Sequence, residues 1–88
     1  MRVGVSGNLR RYVDFDFDIE LDARSVRDAL FQLSVRYPAI EPVLLDGAGG
    51  IRSIHRIVLN GSLLGADELN RPATAHDEVI ILTPITGG

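Results

Sequence analysis

The stretch Glu78-Val79-Ile80-Ile81-Leu82-Thr83-Pro84-Ile85 decides the fold. Its apolar residues fall on both faces of an extended chain, which suits a strand inside a sheet rather than at its rim. A central strand over residues 78–85, last in the chain, needs neighbours on both sides drawn from earlier sequence. Residues 54–59 (Ile-His-Arg-Ile-Val-Leu) supply one and run into Asn60-Gly61, the pair favoured in two-residue hairpin turns, where both positions need positive φ. Ser62-Leu63-Leu64 reads as the short return strand, and residues 65–77 as a connection with one or two apolar contacts.

Further back, Ser25 to Tyr37 reads as a helix. Ser25 can cap it, with Asp28 three residues on. Val26, Ala29, Leu30, Leu33 and Tyr37 form one apolar stripe, and Arg27, Gln32 and Arg36 lie off it. Pro38 stops the helix. Residues 38–53 form a connection in which Val43-Leu44-Leu45 tucks in as a short helical turn. Its Asp46-Gly47-Ala48-Gly49-Gly50 cluster lacks the Lys-Ser/Thr and the strand-to-helix frame of a phosphate-binding loop, and reads as a flexible surface loop.

The beginning reads as a hairpin. Residues 1–7 are a strand with Val3 and Val5 on one face, and Gly7-Asn8 opens a loose connection through Leu9, Arg10 and Arg11. Residues 12–21 alternate: Val13, Phe15, Phe17, Ile19 and Leu21 against Tyr12, Asp14, Asp16, Asp18 and Glu20. That period predicts a long strand with one wet face. Its row of carboxylates has no nearby histidine and no calcium-loop pattern, and reads as a solvated edge that blocks sheet-to-sheet pairing.

The predicted order is two strands, a helix, two strands and a last strand. It gives an α+β fold: one main helix packed across a mixed sheet of four to five strands. The first and last strands lie parallel at its centre.

Size and composition narrow the function. The chain has 88 residues and reads as one domain over 1–88. So small a domain has little room for an internal substrate cavity, which favours a binding or carrier module over a self-contained enzyme. It has no cysteine, which excludes disulfides, thiolate zinc sites and a cysteine nucleophile. Its net charge of -3 argues against nucleic acid as partner. No apolar run exceeds five residues, so neither a membrane span nor a secretory leader is expected. All nine basic residues are arginine. An activated acyl group on this chain would therefore meet no lysine of its own, with only the α-amino group remaining. His55 and His76 have no serine or carboxylate at triad spacing, and structural roles are expected for both; no residue is expected to be catalytic or to bind a metal.

The tail is the informative segment. A strand that runs into Pro84 and ends Ile85-Thr86-Gly87-Gly88 loses its pairing near the proline, which has no N–H to donate. The six residues from Thr83 onward can project at most ~20 Å. Two glycines make the end thin enough for a narrow channel that reaches the Gly88 carboxylate.

From Asp77 to Gly88 the sequence resembles the C-terminus of the MoaD/ThiS family of ubiquitin-like β-grasp sulfur carriers. That family commonly ends in an acidic pair, an apolar strand, proline, an apolar and a small residue, and Gly-Gly. Asn60 matches the family's usual hairpin asparagine. The resemblance covers the whole chain in element order and these two motifs in detail. His76 stands where the family usually has glycine, and Thr83 where a first proline is frequent; both loosen a subfamily assignment.

The resemblance implies a carrier cycle. A ubiquitin-activating-type partner uses ATP to adenylate Gly88, and a sulfur donor enzyme converts the adenylate to a thiocarboxylate. A sulfur-accepting synthase then uses that sulfur, all in the cytoplasm and with no cofactor bound by the carrier itself. The length and the 38–53 connection resemble the molybdopterin-type carriers more than the thiamine-type ones. It further implies that Thr83, Pro84, Ile85, Thr86 and Gly87 thread into the partner. By strand alternation, Val58, Ile80 and Leu82 face away from the helix and form a docking patch. Two alternatives stay open: a ubiquitin-like modifier joined through Gly88 to target lysines, and an interaction domain with an inert tail.

Overall fold

The computed structural model describes residues 1–16, 18–47 and 50–83. Five strands form one sheet: β1 (Arg2–Val5), β2 (Ile19–Glu20), β3 (Arg56–Leu59), β4 (Ser62–Leu64) and β5 (Glu78–Leu82), in the order β2-β1-β5-β3-β4. Helix α1 (Val26–Arg36) packs against one face, and a single-turn helix α2 (Glu41–Leu44) follows it. This is the β-grasp arrangement expected.

β5 is central, hydrogen-bonded on both edges, and its residues alternate between the core and the outer sheet face. It runs parallel to β1, with Val3 opposite Val79 and Val5 opposite Ile81. It runs antiparallel to β3, with Ile57 opposite Ile81 and Leu59 opposite Val79. Val79 and Ile81 are both fully buried. Burying a side chain such as Ile81 stabilises by roughly 1.5–3 kcal/mol. The other layer of the core is α1, which buries Val26, Ala29, Leu30 and Leu33, the expected stripe.

Capping fixes where α1 starts. Ser25 Oγ accepts from the Asp28 N–H at 3.0 Å, and Asp28 Oδ2 accepts from the Arg24 N–H at 2.9 Å. Tyr37 forms the C-cap, ahead of Pro38. Of the residues read as a helical turn, Val43 and Leu44 lie in α2, which starts two residues earlier and buries Leu44 completely, while Leu45 is its extended C-cap. Asn60 and Gly61 take φ of 51° and 84°, the left-handed pair that a two-residue turn requires.

The strands read over 54–59 and 78–85 are shorter, starting at Arg56 and ending at Leu82, and a larger expectation fails. Residues 12–21 are not a long strand; only Ile19 and Glu20 pair with β1. Residues Gly7–Val13 coil into a 3-10 helix that buries Leu9 and Val13, and Asp14 and Phe15 turn left-handed at φ 55° and 57°. Phe15 is 61% exposed rather than inward. The cause is local competition for the backbone. Asp14 and Phe15 N–H groups both donate to the Arg10 carbonyl, and Asp16 Oδ1 accepts from the Asp18 N–H at 2.9 Å. Aspartates that bond their own backbone favour turns over ladders. The carboxylates therefore do not form the solvated edge row expected of a strand. Asp16 Oδ2 also accepts from the Tyr37 hydroxyl at 3.3 Å. Phe17 lies outside the described residues.

Candidate functional site

The tail expected to carry the chemistry begins where β5 ends. Pro84, Ile85, Thr86, Gly87 and Gly88 lie outside the described residues. The described part of the site is therefore the root of the tail and the sheet face beside it.

The root is held by the far end of β1. The Ser6 N–H donates to the Ile81 carbonyl at 3.0 Å, which carries the parallel pairing one residue past β1. Ser6 Oγ then accepts from the Thr83 N–H at 3.0 Å. Thr83, expected as the first residue of the tail, is half-buried. Gly7 closes over it with φ +57°, and a Cβ there would lie 3.0 Å from Thr83 Cγ2. Glycine suits this position twice over, by its backbone conformation and by the close approach. No local sequence signal marks Ser6 or Gly7 as site residues.

The outer sheet face carries the patch. Ile80 stands opposite Val58 on β3, and Leu82 opposite Arg56. Val58 and Ile80 are half-buried and Leu82 is 40% exposed, so all three reach the face turned from α1. Two further apolar residues extend it. Leu63 pairs with Val58 across the hairpin and is 64% exposed, and Ile54 is 58% exposed. Ser53, Ile54, Arg56, Leu82 and Thr83 line an open hollow of about 520 Å³ at the tail root. The Arg56 guanidinium is pinned there, donating to the carbonyls of Ser53 at 2.7 Å and His55 at 3.1 Å. A separate hollow of about 420 Å³ along α1, lined in part by Leu30, Phe31 and Leu45, shares no residue with this one.

The β3–β4 turn braces the start of β5. The Asn60 N–H donates to the Glu78 carbonyl at 2.8 Å, and the Glu78 N–H returns a bond to Asn60 Oδ1 at 2.9 Å. Asn60 Nδ2 donates to Asp77 Oδ1 at 2.9 Å, and the Thr74 N–H donates to Asp77 Oδ2 at 2.7 Å. These bonds, that from Asn60 first, hold the Asp77 carboxyl below the ordinary carboxylate range. The asparagine of the resemblance thus has a structural role, locking the hairpin to the strand that leads to the tail.

Neither histidine side chain joins these contacts. His55 is buried, and its Nε2 donates to the Val43 carbonyl at 2.7 Å, tying the start of β3 to α2. His76 is exposed, and its own N–H donates to Thr74 Oγ1 at 3.3 Å. Among the described residues no cluster of three or more His, Asp or Glu side chains is arranged to hold a metal ion. No described helix is long and apolar enough to cross a membrane. What the described site can offer chemically is a handle: a braced strand, an apolar face and a Thr83 held in place by Ser6.

Solved structures share this architecture. The small archaeal modifier protein 1 from Methanosarcina acetivorans matches with 26% identity over 99% of this chain and 94% of that one, at a TM-score of 0.84. A chain of the Amycolatopsis orientalis BexX/CysO complex matches at 18% identity and TM-score 0.81, covering 99% of this chain and 98% of that one. Urm1 from Trypanosoma brucei matches at 16% identity and TM-score 0.76, covering 99% and 93%. At those identities the last two speak for the fold alone. No curated protein sequence matches. The model of the ThiS family matches residues 3–88, tail included. The chain therefore belongs to the ThiS family: it is a β-grasp, ubiquitin-like carrier or modifier protein and not an enzyme.

Proposed function

We propose that this chain works through its Gly88 carboxyl group, which a ubiquitin-activating-type enzyme adenylates and which is then joined to lysine amines of other proteins. A carboxylate oxygen of Gly88 attacks the α-phosphorus of ATP; an O–P bond forms and pyrophosphate leaves. The acyl-adenylate has the good leaving group that a carboxylate lacks. A target amine then forms the C–N bond as AMP departs and a proton is lost to solvent. Val58, Ile80 and Leu82 dock the folded body on the activating enzyme, while residues 83–87 thread toward its nucleotide. The first step consumes ATP, and the cytoplasm is the proposed place of work.

The observation that carries this reading is the likeness to small archaeal modifier protein 1 over nearly the whole of both chains. It favours conjugation over delivery to a molybdopterin-type synthase.

A second reading rests on the match to the ThiS family itself. In it, hydrosulfide from a donor enzyme displaces AMP, leaving a C-terminal thiocarboxylate that an accepting synthase consumes. Activation is common to both.

Proteomics after digestion at glutamate separates them. Cleavage after Glu78 leaves residues 79–88 on a modified lysine of another protein. Finding that branch supports the modifier. A free chain with one oxygen exchanged for sulfur, and no branch, supports the carrier. Neither product in cells that make the chain would refute both.

A further inference from the structure

The chain contains neither lysine nor cysteine, so its strong nucleophiles reduce to the amine of Met1. Hydroxyls react poorly with acyl groups at neutral pH unless a base activates them, and an imidazole such as His76 yields only an acyl-imidazole that water cleaves.

The fold encloses that last amine. Met1 is 2% exposed. Its ammonium donates to the Leu21 carbonyl at 2.9 Å and lies 3.0 Å from Glu20 Oε2. The Leu21 N–H donates back to the Met1 carbonyl at 2.9 Å, so Met1 adds one more rung beyond the Arg2–Glu20 pair of β1 and β2. To attack a carbonyl carbon the ammonium must lose a proton and meet the acyl group, and at 2% exposure, tied to Leu21 and Glu20, Met1 offers that approach only when this edge of the sheet opens.

We propose that the folded chain presents no reactive amine, so that an activated Gly88 acyl group cannot acylate its own chain or a second copy. The reaction excluded is the one described above: C–N bond formation at the Gly88 carbonyl carbon, departure of AMP and loss of one amine proton. The inference rests on Gly88 being the activated group, and it adds a rule about the product. Each target lysine carries a single copy as far as residues 1–88 decide it, because they offer a second copy no accessible acceptor. In the thiocarboxylate reading the same feature keeps the activated end from being lost to amide formation.

The test needs no partner enzyme. The recombinant chain with a free Met1 amine is treated near neutral pH with the N-hydroxysuccinimide ester of acetic acid. A hydroxylamine wash removes hydroxyl esters, and intact mass follows the acetyl gained. The native chain is expected to gain its one acetyl roughly tenfold or more slowly than the same chain in urea, the protection of a group reached only by local opening. Arg11→Lys, at an exposed site, is expected to gain an acetyl readily while folded. A native rate within about tenfold of the urea rate overturns the proposal. The outcome is independent of whether Gly88 is ever adenylated, so it fails or stands apart from the functional reading.

Discussion

The two ends of the β1–β5 pair treat the chain differently. At the end where both strands start, everything closes inward. The Met1 ammonium is held by Leu21 and Glu20, the Arg2 N–H donates to the Asp77 carbonyl at 2.9 Å, and Asn60 clasps Asp77 and Glu78. At the end where both strands finish, one side-chain bond, Ser6 to Thr83, holds the last described residue, and Leu82 and Ile54 face solvent. The closed end sets the register of β5. The open end inherits that register, so Thr83 is held at one fixed place beside an apolar face. A carrier needs both: a body that does not shift, and an end that a partner can take.

Four substitutions test this contrast. Leu82→Asp puts a charge on the open face without touching the core. Activation of Gly88 by the partner, followed as ATP-dependent pyrophosphate release, is expected to fall by about tenfold to a hundredfold, as for a central interface residue. The melting temperature should barely move.

Gly7→Ala strains the exit itself. An alanine at φ +57° with its Cβ 3.0 Å from Thr83 Cγ2 is expected to cost about 1–3 kcal/mol in denaturant unfolding. Ser6→Ala removes only the hydrogen bond to Thr83, which is worth about 0.5–1.5 kcal/mol. Its clearer readout is faster amide exchange at Thr83, with exchange in the β5 core unchanged.

The smallest effect lies at the closed end. The Asp77 carboxyl has a lowered pKa in the fold, so its ionised form stabilises the native state. That contribution is fully present above the unfolded value near 3.9 and is lost as pH falls from there through the folded value. Asp77→Asn is therefore expected to flatten the acid limb of a stability–pH curve below about pH 4 while leaving the neutral region nearly level. An acid limb unchanged in the variant would remove Asp77 from the account of the closed end.

Much of this was legible in the sequence where one local signal had a single structural solution. The stripe from Val26 to Leu33 could only be a helix face, and Asn60-Gly61 only a tight turn. A strand apolar on both sides, as from Val79 to Leu82, had to be central. The segment from Tyr12 to Leu21 misled because its alternation satisfied a strand pattern while its aspartates satisfied turns, and periodicity says nothing about which partner a backbone N–H will choose. Ser6 and Thr83 are 77 residues apart, and only the parallel register brings them together. Leu63 was within reach: a two-residue turn at Asn60-Gly61 pairs Leu59 with Ser62 and hence Val58 with Leu63. Ile54 and Arg56 join the face only through the antiparallel register that sets Arg56 opposite Leu82 and the hollow that it shares with Ile54.

In the function proposed, the Gly88 carboxyl is the working group and the folded body its handle. Intact mass spectrometry of the chain, incubated with ATP and the ubiquitin-activating-type enzyme of the same cell, tests it most directly. The account predicts an added adenylate, or a product derived from it, confined to a C-terminal fragment and absent when Gly88 is deleted. A chain that keeps its unmodified mass while that enzyme activates another protein in the same tube would contradict it.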